Sequence, residues 1–128
     1  MSVVPPFSAS EAYSETTRGI TVSVQTVYLE HQSEPDEGRY LWAYQVRIEN
    51  HSDAVAQLLT RHWRIVDARG QAHDVIGDGV VGEQPVLKPG EAFQYSSGTP
   101  LTTSSGFMSG SFRMISEAGE IFDVSVPA

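Results

Sequence analysis

"RYLWAYQVRIEN", residues 39–50, alternates from end to end: Tyr40, Trp42, Tyr44, Val46 and Ile48 share one phase, and Gln45, Arg47 and Glu49 share the other. A helix would scatter those aromatic and β-branched residues around its circumference, whereas a strand gathers them on one face. The stretch therefore reads as a half-buried strand, and the same period continues on both sides of it. Upstream, Ile20, Val22 and Val24 of "ITVSVQTVYLE" alternate with Thr21, Ser23 and Gln25, and the acidic loop "HQSEPDEG" separates the two runs. Downstream, "NHSD" has turn composition, "AQLLTRHWRIVDA" resumes with Leu59, Trp63 and Ile65 in phase, and "DARG" forms a tight turn into "QAHDVI".

The remainder follows the same rhythm. In "VLKPGEAFQYSS", Pro89 and Gly90 suit the central positions of a type II turn, and Phe93 and Tyr95 follow in strand phase. Met108, Phe112 and Met114 share one face of "FMSGSFRMI", "EAGE" turns the chain, and "IFDVSV" closes with Phe122, Val124 and Val126. About seven short strands with turn signals between them, and no amphipathic helix, predict an all-β protein: an antiparallel β-sandwich. Residues 1–18 mix Pro, Ser and charge without periodicity and read as a flexible N-terminal segment; residues 19–128 form one sandwich domain.

Composition narrows the chemistry. The 128 residues contain no cysteine, which excludes disulfides, thiolate metal sites and cysteine nucleophiles. Sixteen acidic against eight basic residues give a net charge of -8, so neither nucleic acid nor an anionic membrane is an expected partner. Nothing resembles an export signal or a membrane span of about 20 apolar residues, which predicts a cytoplasmic protein. Without such a signal, Asn50-His51-Ser52 is a chance match to a glycosylation acceptor.

"GDGVVGEQP", residues 77–85, is the one motif that suggests a ligand: Gly77, Gly79 and Gly82 have the G-x-G-x-x-G spacing of a phosphate loop. A dinucleotide fingerprint needs a helix after it, and Pro85 and Pro89 stand where that helix would run. A P-loop needs Lys and Ser or Thr after its last glycine, and Glu83 and Gln84 are there instead. Two readings remain: the glycines only permit curvature, or the bare amides of Gly79, Val80, Val81 and Gly82, flanked by Asp78 and Glu83, form an anion nest.

Register bears on that choice. If Asp67 pairs with Gly70, Trp63 faces Asp74 and Arg61 faces Ile76, beside the loop. An inward Arg61 then needs an anion or a carboxylate, the internal candidates being Asp78 and Glu83. A few charge-assisted hydrogen bonds of about 1.5–3 kcal/mol each, set against about 4 kcal/mol or more of association cost, make any phosphate affinity about millimolar. The same register puts His62, Arg64 and His73 on one face, where the arginine would repel a cation. The acidic loop Glu34, Asp36, Glu37 lacks the calcium-loop pattern. No metal site, cofactor or catalytic residue is expected.

At "QLLTRHW", "VIGDGVVGEQPVLKPGEAFQYSSG" and "GFMSGSFRMISEAGEIF" the chain resembles the ApaG family, also called CorD, from about Gly19 to Val126. The resemblance implies an immunoglobulin/fibronectin type III-like sandwich. It also implies a bacterial protein associated with diadenosine tetraphosphate metabolism, cobalt resistance and magnesium efflux, and a domain reused for protein interaction in larger eukaryotic proteins, including F-box proteins. No enzymatic activity comes with it. Its glycine motif, taken in the family as a pyrophosphate or nucleotide site, falls on Gly77, Gly79 and Gly82. The expectation is a non-catalytic binding module that meets an unidentified protein partner at its loop end, around Arg61, residues 77–85 and Ser96 to Gly98. A weak pyrophosphate or nucleotide polyphosphate site in the same loop is the alternative.

Overall fold

The computed structural model describes residues 13–103 and 105–126. Among these residues, nine strands form two antiparallel sheets: β1 (Tyr13–Thr17), β2 (Ile20–Tyr28), β3 (Tyr40–Asn50), β4 (Ala56–Asp67), β5 (Ala72–Asp78), β6 (Val86–Leu87), β7 (Ala92–Leu101), β8 (Gly106–Ser116) and β9 (Ile121–Val126). The first sheet runs β1-β2-β3-β7 and the second β5-β4-β8-β9, with the short β6 added to β4. The sequence expectation of an antiparallel sandwich holds. The two strands beyond the expected seven are β6 and β1, and β1 lies within the segment expected to be flexible. It pairs with β2 from Tyr13↔Val24 to Thr17↔Ile20. The rest of that segment, residues 1–12, falls outside the described residues.

The core forms where the apolar phases of the sheets meet. Val22, Val46 and Ile48 from the first sheet and Leu58, Phe112, Met114 and Val124 from the second have no exposed surface. Trp63 sits between the sheets, with its ring edge-on to Phe112 at 6.0 Å and tilted against Tyr44 at 5.5 Å. Of the aromatic residues expected inside, Trp63 is buried, while Tyr44 and Trp42 are half-buried toward one end.

Strand β4 departs from a simple period of two. Its inward residues are Ala56, Leu58 and Trp63 rather than Leu59 and Trp63, because the pairing with β8 slips between Leu58 and Thr60. This bulge resets the phase. Before it, Ala56 and Gln57 pair with β6; after it, Thr60 to Val66 pair with β5.

The hairpin register also differs from expectation by one residue. Trp63 faces Val75 and Arg61 faces Gly77, not Asp74 and Ile76. The cause is the turn: Asp67 and Gln71 close a three-residue loop in which Gly70 takes φ 83° and the Asp67 carboxylate accepts the Arg69 and Gln71 amides. A type I turn ending in a left-handed glycine inserts one more residue than the two-residue turn read from the sequence. Pro89-Gly90 does form the expected turn, with Gly90 at φ 84° and the Glu91 amide bonded to the Lys88 carbonyl.

A buried asparagine ties these elements together. Asn50, with no exposed surface, donates from Nδ2 to the Ala54 and Leu87 carbonyls and accepts at Oδ1 from the Ser52 amide and hydroxyl. All of its hydrogen-bonding capacity goes to holding the β3–β4 turn against β6.

Candidate functional site

The glycine segment is built from the core outward. Asp78 ends β5, and Gly79, at φ 63°, turns the chain so that Val80 drops into the core with no exposed surface. Burying such a side chain is worth about 1.5–3 kcal/mol, which anchors the loop. Val80 and Glu83 then exchange both main-chain hydrogen bonds, at 2.8 and 2.9 Å, around Val81 and Gly82. These two residues have φ 45° and 81°. Positive φ at both central positions defines a type I′ turn, a geometry that glycine and asparagine favour and a β-branched residue resists. Val81 nevertheless occupies the first position and is 55% exposed.

Each glycine answers a separate steric need. A Cβ on Gly77 would come within 3.0 Å of both terminal nitrogens of Arg61, which lie against that backbone. A Cβ on Gly79 would collide with the Glu83 carbonyl, whose carbon lies 2.9 Å from where it would stand. Gly82 has open space around it and is needed only for its φ.

Arg61 is half-buried on the Trp63 face and bonds to the main chain, not to a carboxylate. Its Nη1 donates to the Asp78 and Gly79 carbonyls at 3.0 and 2.9 Å. This corrects the expected pairing with Asp78 or Glu83; both of those side chains belong to exposed residues. The β4 bulge completes the device. The Leu59 carbonyl accepts the Gly79 amide at 2.8 Å and Gln84 Nε2 at 2.9 Å, and the Leu58 amide donates to Pro85. Sequence reading missed the bulge because two adjacent leucines give no signal of which one turns inward.

The amides expected to form an anion nest are largely committed elsewhere. Those of Gly79, Val80 and Glu83 are bonded to carbonyls, which leaves Val81 and Gly82 with no partner among the described residues. The Tyr95 hydroxyl, within reach of the Arg61 charge, is buried without a hydrogen-bond partner. Burial first, and Tyr44 second, push its pKa well above the usual phenol value, and neither Arg61 nor Trp63 offsets them. Ser96 and Gly98, expected near the loop, lie on β7 in the first sheet and occupy the phase opposite Tyr95.

The histidine cluster does not form. Ile65 faces His73, whereas His62 faces Ile76, so the two imidazoles lie on opposite sides of the hairpin. Asp74 sits between His62 at 3.0 Å and Arg64 at 3.7 Å. Among the described residues, no group of three potential metal ligands comes together and no helix is long and apolar enough to cross a membrane. At the opposite end of the sandwich, a cleft of about 380 Å³ opens between the sheets, lined by Trp42, Tyr44, Ile65, Leu101, Phe107 and Met108 among others.

Two antiparallel sheets closed over one core define a β-sandwich protein, and comparison with known proteins carries the assignment to a family. The model of the ApaG domain family matches residues 30–116. The chain is 59% identical over 116 residues to Protein ApaG of Rhodospirillum centenum, covering 91% of this chain and 89% of that one. It is 56% identical over the same length to Protein ApaG of Brucella canis, with the same coverage. In structure it resembles the putative ApaA protein of Bordetella pertussis, with a TM-score of 0.82 at 45% identity over 84% of this chain and 87% of the other. The chain belongs to the ApaG family.

Proposed function

We propose that this chain is a non-catalytic, cytoplasmic binding module whose glycine loop meets a partner protein. The observation that carries the reading is Val81: a β-branched residue held at φ 45° and 55% exposed, at the tip of a turn fixed by the buried Val80 on one side and by Arg61 on the other. Backbone strain that stability does not require is a mark of function. Here it projects an apolar side chain on a rigid support, which suits a protein contact. The family's association with cobalt resistance, magnesium efflux and diadenosine tetraphosphate then reflects what the partner does.

A pyrophosphate or nucleotide polyphosphate site in the same loop is the competing reading. It would have only the Val81 and Gly82 amides and the uncommitted nitrogens of Arg61 to work with. An amide-shift titration with pyrophosphate and with diadenosine tetraphosphate, read at Gly77 to Glu83, separates the two. Under the binding-module reading the loop stays silent to millimolar ligand, and proteins retained from a bacterial lysate by the native chain are lost from Val81→Asn. Saturable shifts confined to the loop and Arg61 would replace this reading with anion recognition. Retention of every partner by the variant would remove the loop from the interface.

A further inference from the structure

The four strands at the sheet margins are protected very unevenly. β1 and β9 lie side by side, with the Ser125 amide donating to Thr17 Oγ1 at 3.3 Å, so those margins shield each other. β5 is a margin of seven residues that carries His73, Asp74 and Asp78. β7 is different. Its ten residues, "AFQYSSGTPL", contain no charged side chain, and they pair with β3 from Glu49↔Ala92 to Tyr40↔Leu101 without a register shift. Its only other neighbour in the first sheet would lie where none is described.

Unpaired margins invite another strand, and proteins ordinarily block them with charge, bulges or proline. Among the described residues β7 has only Pro100, at its penultimate position, and the Arg47 guanidinium that donates to Gln94 Oε1 lies on its outward face, so the eight residues from Ala92 to Thr99 form a regular margin with no blocking residue of their own. Its outward phase is small and polar (Ala92, Gln94, Ser96, Gly98), and its inward phase presents Phe93 and Tyr95 toward the second sheet.

We infer that β7 is a strand-addition site for an extended segment of a partner protein. The segment would alternate apolar residues beside Phe93 and Tyr95 with polar residues beside Gln94 and Ser96, and would carry basic residues at both ends. Main-chain hydrogen bonds supply affinity in such an arrangement, and alternate side chains supply selectivity. Charge selects the occupant. The chain carries a net charge of -8; Glu91 immediately precedes β7, and Asp67 lies by Thr102 at its far end. Two copies joined antiparallel through β7 would bring the Glu91 end of each against the Asp67 end of the other, acid against acid. A basic-flanked peptide meets attraction at both ends. This surface is separate from the glycine loop, so either assignment can fail without the other.

The test uses the synthetic peptide KKVTVTVTVTKK and an analogue N-methylated at alternate residues, with amide hydrogen exchange of the full chain read strand by strand. The expected result is at least tenfold slower exchange at alternate amides of Ala92 to Thr99 with the peptide, abolished by the N-methylated analogue and unchanged in Val81→Asn. Ser96→Pro removes the protection; if that variant unfolds, the double variant Gln94→Lys, Ser96→Lys weakens it by repelling the basic ends. No slowing at β7, or slowing at β5 instead, overturns the inference. Protection of β7 that grows with protein concentration in the absence of peptide also overturns it, in favour of self-association.

Discussion

The molecule contains two turns of nearly the same backbone shape. Arg18-Gly19, between β1 and β2, has φ 51° and 81°; Val81-Gly82 has φ 45° and 81°. Arg18 can be explained by its side chain, which donates to Glu120 Oε1 at 2.7 Å and lies over the Phe122 ring at 4.6 Å. It staples one hairpin to another. Val81 has no such internal task. Its side chain points away from the fold, and the strain it carries is compensated only by its neighbours. The glycine at the second central position of each turn says nothing about role; the residue ahead of it does.

The strongest way to break the equivalence is at Gly79, which the Arg18 turn has no counterpart for. Gly79→Ala must resolve both a positive φ and the collision with the Glu83 carbonyl, and the loop cannot yield without lifting Val80 from the core. The expected loss is about 3 kcal/mol, measured by urea denaturation. Gly82→Ala, with open space around its Cβ, should lose only about 1 kcal/mol. Equal losses at the two positions would mean that φ alone matters and that the carbonyl contact is soft.

Val81→Asn sharpens the comparison further, because it runs opposite to most substitutions. Asparagine fits the first position of a type I′ turn and valine does not. The variant should therefore gain about 1 kcal/mol, or about 4 °C in Tm, while losing its partner. A stabilised variant that keeps its partner would make the strain incidental. The corresponding change Arg18→Asn should gain nothing, since it gives up the Glu120 and Phe122 contacts for the same backbone relief.

Why the sequence disclosed the sandwich and not this device follows from the same residues. Alternation in "RYLWAYQVRIEN" picks out the core face where Val46 and Ile48 have no exposed surface, although Ala43 and Gln45 of the other phase are buried as well. The loop is determined by events far apart in the chain: a bulge at Leu59, an arginine donating to carbonyls seventeen and eighteen residues on, and a core valine between two glycines. The register misreading had a local cause, since "DARG" does not reveal whether Gly70 pairs or bulges. The Arg61 face was nonetheless legible, because the shift between expected and observed pairing changed its partner and left its phase beside Trp63 intact. The β7 margin was unreadable for another reason: a strand order is needed before any strand can be called a margin.

The smallest effect tests the stapled turn. The hydrogen bond from Arg18, and then its charge, hold the Glu120 carboxyl below its usual pKa. The folded value lies under the unfolded one, so this contribution to stability is present above the ordinary carboxylate range and disappears as pH falls through the folded value. Both groups are solvent-exposed, with side chains 49% and 58% accessible, and an exposed pair of this kind is screened by water and salt. Glu120→Gln should leave the urea midpoint at pH 7 almost unmoved and slightly flatten the fall in stability at acid pH; raised salt should erase even that difference. A large loss at neutral pH would show that the staple, and not the core beneath it, holds β1 and β9 together. The Arg18 turn would then be as indispensable to the fold as Gly79 is to the loop.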